Sequence, residues 1–169
     1  SQEVAVVIGQ GNVAMDVSRI LCKTVEELKN TDITQHALEA LKSSRIKEVH
    51  LIGRRGPIQA AFTPPEIKEF GELLHCDPVF NNLDDLNLNP ESQKELDNPE
   101  NAIAKRNWGV LQDFARRLAP TKSKRFIIHF LESPVEIIGQ GRVQKIVLEK
   151  NRLIGEPGNQ KAQGTGQKE

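Results

Sequence analysis

A glycine turn set between a strand and a helix is the feature that most restricts what this chain can fold into. Residues 4–8 read VAVVI, a β-branched run suited to a strand buried on both faces of a parallel sheet. Gly9-Gln10-Gly11-Asn12-Val13-Ala14 comes next as GxGxxA, and Val13, Val17, Ile20 and Leu21 then fall at helical spacing. In that setting the first glycine permits a tight turn and the second lets the backbone approach a phosphate. Ala14, small, lets helix and strand pack closely. Backbone N–H groups and the positive helix end then converge where a dinucleotide pyrophosphate can sit; an ordinary β–α turn is the alternative reading. IKEVHLI, 46–52, returns as a second parallel strand and stops at Gly53. Between the strands lies a helical stretch over 24–43, with Thr24 and Glu27 spaced as a capping box. Thr31 or Asp32 is placed to cap a helix carrying Ile33, Ala37, Leu38 and Leu41.

The turn after the second strand bears on ligand choice. A NAD-selective site usually places an acid there for the ribose 2′-hydroxyl, whereas this chain reads Gly53-Arg54-Arg55-Gly56. Two guanidiniums can grip a dianionic 2′-phosphate through bidentate, charge-assisted hydrogen bonds, so the residues point to NADP(H); a solvated basic turn is the competing reading. The gap of 45 residues from Gly9 to Arg54 exceeds the usual ~20, and the extra helical stretch accounts for it. Thr63 before Pro64 starts another helix, with Ile67, Phe70 and Leu74 on one face. Glu66 is then either the capping-box glutamate of that helix or a partner for ribose hydroxyls, and spacing favours the cap.

Farther on, residues 81–101 hold six Asn and a net charge of −5, with few apolar side chains. They read as part of a polar surface insertion over about 81–104, carrying short helical turns. Residues 105–125 reverse the sign to +6 and space Val110, Leu111, Phe114 and Leu118 as a basic amphipathic helix. RFIIHFLESPVEIIG and RVQKIVLEK read as the two arms of a hairpin over 126–149, and 155–169, with four Gly, as a loop or tail. Equal counts of 23 basic and 23 acidic residues disfavour attraction to nucleic acid or membrane by bulk charge. No apolar run approaches the length of a membrane span, and the first residues lack a secretory leader pattern. His36, His50, His75 and His129 lack metal spacing, and no residues suggest a protein nucleophile. Cys22 and Cys76 read as small buried hydrophobes of a reducing compartment.

GQGNVAMDVSRIL, TDIT and LIGRRGPIQAAFT resemble the NADP-binding domain of the adrenodoxin reductase type of NADPH:ferredoxin reductase, a glutathione-reductase-like flavoprotein. The likeness is close over 4 to about 75 and looser over 105–165. It implies a Rossmann-like α/β fold with a β-hairpin excursion in a three-layer β/β/α arrangement, spanning 1–154. It implies that the glycine motif lies at the sheet's switch point, and that Asn12 and Val13 hold the pyrophosphate, Arg54 and Arg55 the 2′-phosphate. Glu66 is assigned to the nucleotide site, against the spacing argument. Lys68, with Lys105 and Arg106, falls where the family docks an acidic ferredoxin, solubilising charge being the alternative. FAD would bind in a domain this chain lacks, so the resemblance implies a fragment, inactive alone and ending before the last strand of its domain. A bacterial cytoplasm is expected, or a mitochondrial matrix. A glutamate-synthase small-subunit-like flavoenzyme and a non-catalytic nucleotide-binding module remain open.

Overall fold

The computed structural model describes residues 2–169. Four parallel strands form one sheet in the order β1-β2-β4-β3: β1 (Val4–Ile8), β2 (Glu48–Ile52), β3 (Cys76–Phe80) and β4 (Lys124–His129). An antiparallel sheet comes after it in the chain, in the order β5-β6-β7, from β5 (Glu132–Ile138), β6 (Lys145–Ile154) and β7 (Lys161–Lys168). The helices are α1 (Asn12–Cys22), α2 (Val25–Leu28), α3 (Gln35–Lys42), α4 (Pro64–Phe70), α5 (Pro90–Asp97) and α6 (Ala102–Ala115).

α1, α4 and α6 pack on the parallel sheet and bury Met15, Phe62, Ile67, Phe70 and Leu111 against Val49, Leu51, Phe126 and Ile128. Phe70 stacks on Phe126 with ring centroids 3.9 Å apart. The β5–β6 hairpin runs back beside the free face of β1, where Val4, Val6 and Ile8 share a cavity of about 650 Å³ with Ile137 and Val143. The α/β class with its parallel sheet and hairpin is therefore as the sequence implied.

Several local expectations are corrected. Among the described residues β1 pairs with β2 alone, and its Val4, Val6 and Ile8 are exposed rather than buried on both faces. No strand among the described residues pairs with the other edge of β1. α1 turns Met15, Ser18 and Cys22 inward, and Val13, Val17 and Ile20 form an exposed stripe. The small Ala14 and Ser18 let this helix lie close to the sheet, which the larger side chains on the other stripe would prevent. Thr34, not Thr31 or Asp32, caps α3, while the Thr24–Glu27 capping box forms as expected. Leu74 lies past the end of α4 and is exposed.

The expected arm 126–138 is two strands in two sheets, broken at Leu131, whose φ of 56° makes it the one non-glycine with positive φ among the described residues. β3 had no apolar alternation to announce it, and Pro78 is tolerated there because β3 is an edge. Residues 161–168 are strand rather than loop or tail, because main-chain pairing with β6 needs no apolar side chain. The polar segment after β3 holds the short helix α5, in keeping with the helical turns expected there.

Candidate functional site

The ends of β1 and β2 open into a cleft of about 290 Å³ lined by Gly9, Gln10, Gly11, Gly53, Arg54, Arg55, Gln59 and Glu132, among others. Thus six residues of the glycine turn and the arginine turn come together at one strand edge. Gly9 has φ 116°, a conformation that side chains disfavour, and its N–H donates to Ile52 O at 2.9 Å. Alanine at Gly9 should cost about 1–3 kcal/mol in strain, lowering Tm by ~2–4 °C per kcal/mol in a thermal melt. Gly11 has ordinary extended backbone, and a Cβ built on it meets no protein atom. Packing within the chain therefore does not require glycine at this position.

α1 begins without a side-chain cap and without an acid in its first turn, so its first N–H groups retain their hydrogens for an external acceptor. Asn12 and Val13 stand in that turn, Val13 fully at the surface with 78% exposure. The Asn12 side chain accepts from Thr63 N–H at 3.1 Å, and Gln10 O accepts from Ala61 N–H at 3.0 Å, which stitches the glycine turn to the segment entering α4. Gln10 lies across Gly53, where any Cβ would fall 2.0 Å from its Cδ, and its Nε2 donates to His129 O at 2.8 Å. A side chain at position 53 would thus displace the Gln10 amide from its place, a relation between residues 43 positions apart that no local pattern signals.

Arg54 is exposed and Arg55 half-buried. Ion pairs run elsewhere, from Arg19 and Lys23 to Glu69 at 2.7 Å and from Lys150 to Asp85 at 2.7 Å, which leaves both guanidiniums without a carboxylate among the described residues. Burial works to raise the Glu69 carboxyl, and Lys23 and Arg19 more than reverse it, holding Glu69 below its ordinary range. The Thr63–Glu66 capping box does not form: Thr63 makes no side-chain cap, and Glu66 Oε2 is shielded yet has no hydrogen-bond partner among the described residues. Glu66 sits on α4, outside the lining of the cleft. Lys68, Lys105 and Arg106 are exposed, on α4 and α6, also away from the lining.

Sequence reasoning missed the far wall. Gln59 donates through Nε2 to Ser92 Oγ at 3.2 Å and to Glu95 Oε2 at 3.0 Å, so the polar insertion braces the cleft. Glu132, 1% exposed, takes a 2.6 Å hydrogen bond from His129 Nδ1, and His129 Nε2 lies 2.8 Å from His50 Nδ1. His50 Nε2 in turn faces Glu48 Oε2 at 3.4 Å. Burial raises the Glu132 carboxyl, but the His129 hydrogen bond and charge, with Lys150, bring it below its ordinary value.

Hydrogens on both His50 Nδ1 and His129 Nε2 would set two N–H groups face to face at 2.8 Å. His50 is accordingly held below its ordinary range, by burial first and then by the charge of His129 and of Arg125 against the pull of Glu48. Because its folded value is depressed, protons bind the unfolded chain more readily below pH ~6.5. The urea midpoint should therefore fall between pH ~7.5 and ~5.5, either side of that value, and fall less in His50→Gln; an equal fall in both would remove His50 as the cause.

A parallel sheet whose strand ends carry a glycine turn, an uncapped helix start and two arginines without carboxylate partners is the arrangement that dinucleotide-binding α/β domains use. No family model matches the chain. It is 40% identical over 166 residues to NADPH-ferredoxin reductase FprA of Mycobacterium tuberculosis, covering 98% of this chain and 36% of that protein. It is 38% identical over 175 residues to the mitochondrial NADPH:adrenodoxin oxidoreductase of Rattus norvegicus, covering 98% of this chain and 35% of that one. The solved structure of M. tuberculosis FprA in complex with NADPH superposes with a TM-score of 0.84 at 40% identity, over 100% of this chain and 36% of that one. The chain is a homologue of the NADPH-ferredoxin and NADPH:adrenodoxin reductases and spans about a third of the length of the curated relatives it matches.

Proposed function

We propose that this chain is the NADP(H)-binding domain of a flavin-dependent ferredoxin- or adrenodoxin-type NADP reductase. The observation that carries the reading is the pairing, in one cleft, of an uncapped glycine-turn helix start with two guanidiniums that have no protein carboxylate to hold. The residues suit the ligand: the space above Gly11 that a Cβ would fill admits a pyrophosphate, and Arg54 and Arg55 suit a 2′-phosphate. Glu66, with a shielded oxygen left unpartnered, is assigned to the ribose hydroxyls. Asn12 holds the turn in place through Thr63, and Val13 offers its backbone N–H to the phosphate.

In such a reductase the bound nicotinamide gives hydride to FAD, whose electrons pass singly to an iron–sulfur ferredoxin. This chain's own part is to bind and orient the nucleotide. Lys68, Lys105 and Arg106 are assigned to steering an acidic ferredoxin toward the complex. A reducing compartment, bacterial cytoplasm or mitochondrial matrix, suits two buried free cysteines.

Calorimetric titration of the chain with NADP+ and with NAD+ tests the core of this reading. NADP+ should bind at least tenfold more tightly; equal affinity, or no binding of either, would refute it. Joined to the flavin-binding part of a relative, the chain should support NADPH-dependent ferredoxin reduction. Turnover with glutamate-synthase partners instead would favour the sister flavoenzyme class.

A further inference from the structure

Three consecutive carbonyls of the arginine turn are fastened to the second sheet and the residue that leads into it. Gly53 O accepts from Glu132 N–H at 3.0 Å, Arg54 O from Asn151 Nδ2 at 2.9 Å, and Arg55 O from Leu131 N–H at 3.1 Å. The outer two are held by main chain, which a side-chain substitution leaves in place. The middle one depends on a single side chain. Asn151 lies on β6, 97 residues from Arg54, is 6% exposed, and its amide also donates to Ser133 Oγ at 2.8 Å. Its own N–H donates to Leu131 O at 2.7 Å, so it grips the β4–β5 connection as well as the turn. A bulge between Glu149 and Asn151 sets it in that register. Asparagine is disfavoured inside strands, and burying one is tolerated where its donors are matched, as its amide hydrogens and backbone N–H are here.

We propose that Asn151 is the positioning residue of the arginine turn and sets the preference of this cleft for 2′-phosphorylated nucleotides. The proposal rests on the assignment of Arg54 and Arg55 made above. Bidentate contact with a phosphate tolerates little angular error, and both side chains spring from the peptide units whose carbonyls are held. A turn released at Arg54 O loses the direction of its guanidiniums. The glycine turn has separate anchors, through Gln10 to His129 O and through Asn12 to Thr63 N–H, and stays as it is. The loss therefore falls on the 2′-phosphate and spares the pyrophosphate.

The test compares NADP+ with NAD+, which differ by that phosphate alone, on the 169-residue chain. Asn151→Ala is expected to weaken NADP+ about tenfold, the ratio of one ordinary hydrogen bond lost, with NAD+ changed less than twofold. Asn151→Asp keeps the size of the side chain and lacks the donor, so it should show the same selective loss, and it carries the comparison if the alanine variant does not fold. In an Arg54→Ala/Arg55→Ala background, Asn151→Ala should no longer affect NADP+, since a residue acting through the arginines has nothing left to act on. Equal weakening of both nucleotides, an unchanged NADP+ affinity, or a tenfold loss that persists in the double-alanine background would overturn the proposal. A wild-type chain that binds both nucleotides alike would overturn the arginine assignment itself and this proposal with it, and is told apart because it appears before any substitution is made.

Discussion

Alanine at both Arg54 and Arg55 is expected to weaken NADP+ binding by about 2–6 kcal/mol, taking roughly 1–3 kcal/mol for each guanidinium lost from a charged hydrogen bond. That corresponds to between roughly 30-fold and 10⁴-fold in Kd. The lower half is the more physical expectation, because Arg54 is exposed and solvent ions screen it. NAD+ should change by less than about twofold, since the hydrogen bonds that hold this turn come from its carbonyls and survive truncation of the side chains. Calorimetry at low and high salt checks both points: the wild-type preference should shrink with added salt and be nearly absent in the double variant. Parallel losses for the two nucleotides would mean that the arginines shape the fold and do not read the phosphate.

Phe126→Ala should destabilise the fold more than any substitution at the cleft, at about 3–5 kcal/mol. Phe126 is 0% exposed, lies on β4 between β2 and β3, and stacks on Phe70 of α4 at 3.9 Å. Its removal opens a cavity at the point where the sheet meets the helix layer, and neither side can collapse without moving a strand hydrogen-bonded on both edges. Against a typical domain stability of ~5–15 kcal/mol this is a large fraction. Urea denaturation should show a much lower midpoint with an unchanged slope. Ile137→Ala, at a position 62% exposed, is the contrasting substitution and should stay within about 0.5 kcal/mol of the parent. Comparable losses at both positions would place the core elsewhere.

Much of the site is legible in the sequence alone. Tight turns, uncapped helix starts and paired arginines are local arrangements, and local arrangements leave short signatures such as Gly9 to Ala14 and Gly53 to Gly56. The Thr24–Glu27 capping box and the Pro64 helix start are readable for the same reason. Which apolar stripe of α1 faces the sheet is not readable, because Val13, Val17 and Ile20 are as periodic as the stripe that is buried, and closeness of approach favours small residues. The break between β4 and β5 is hidden by an apolar run that continues across it, and β7 by a composition that carries no apolar pattern at all.

The sequence by itself determined two short motifs that carry the proposed ligand class and whose chemistry needs no third dimension to be read: a glycine turn suited to a pyrophosphate and adjacent guanidiniums suited to another phosphate. Only the tertiary structure decided what holds those motifs in register. Gln10 crossing Gly53 to His129, Gln59 braced by Ser92 and Glu95, and Asn151 gripping Arg54 O are contacts between residues 33 to 119 positions apart. Hydrogen bonds of that kind depend on where two elements happen to lie once the core has packed. One-dimensional spacing carries no record of that distance.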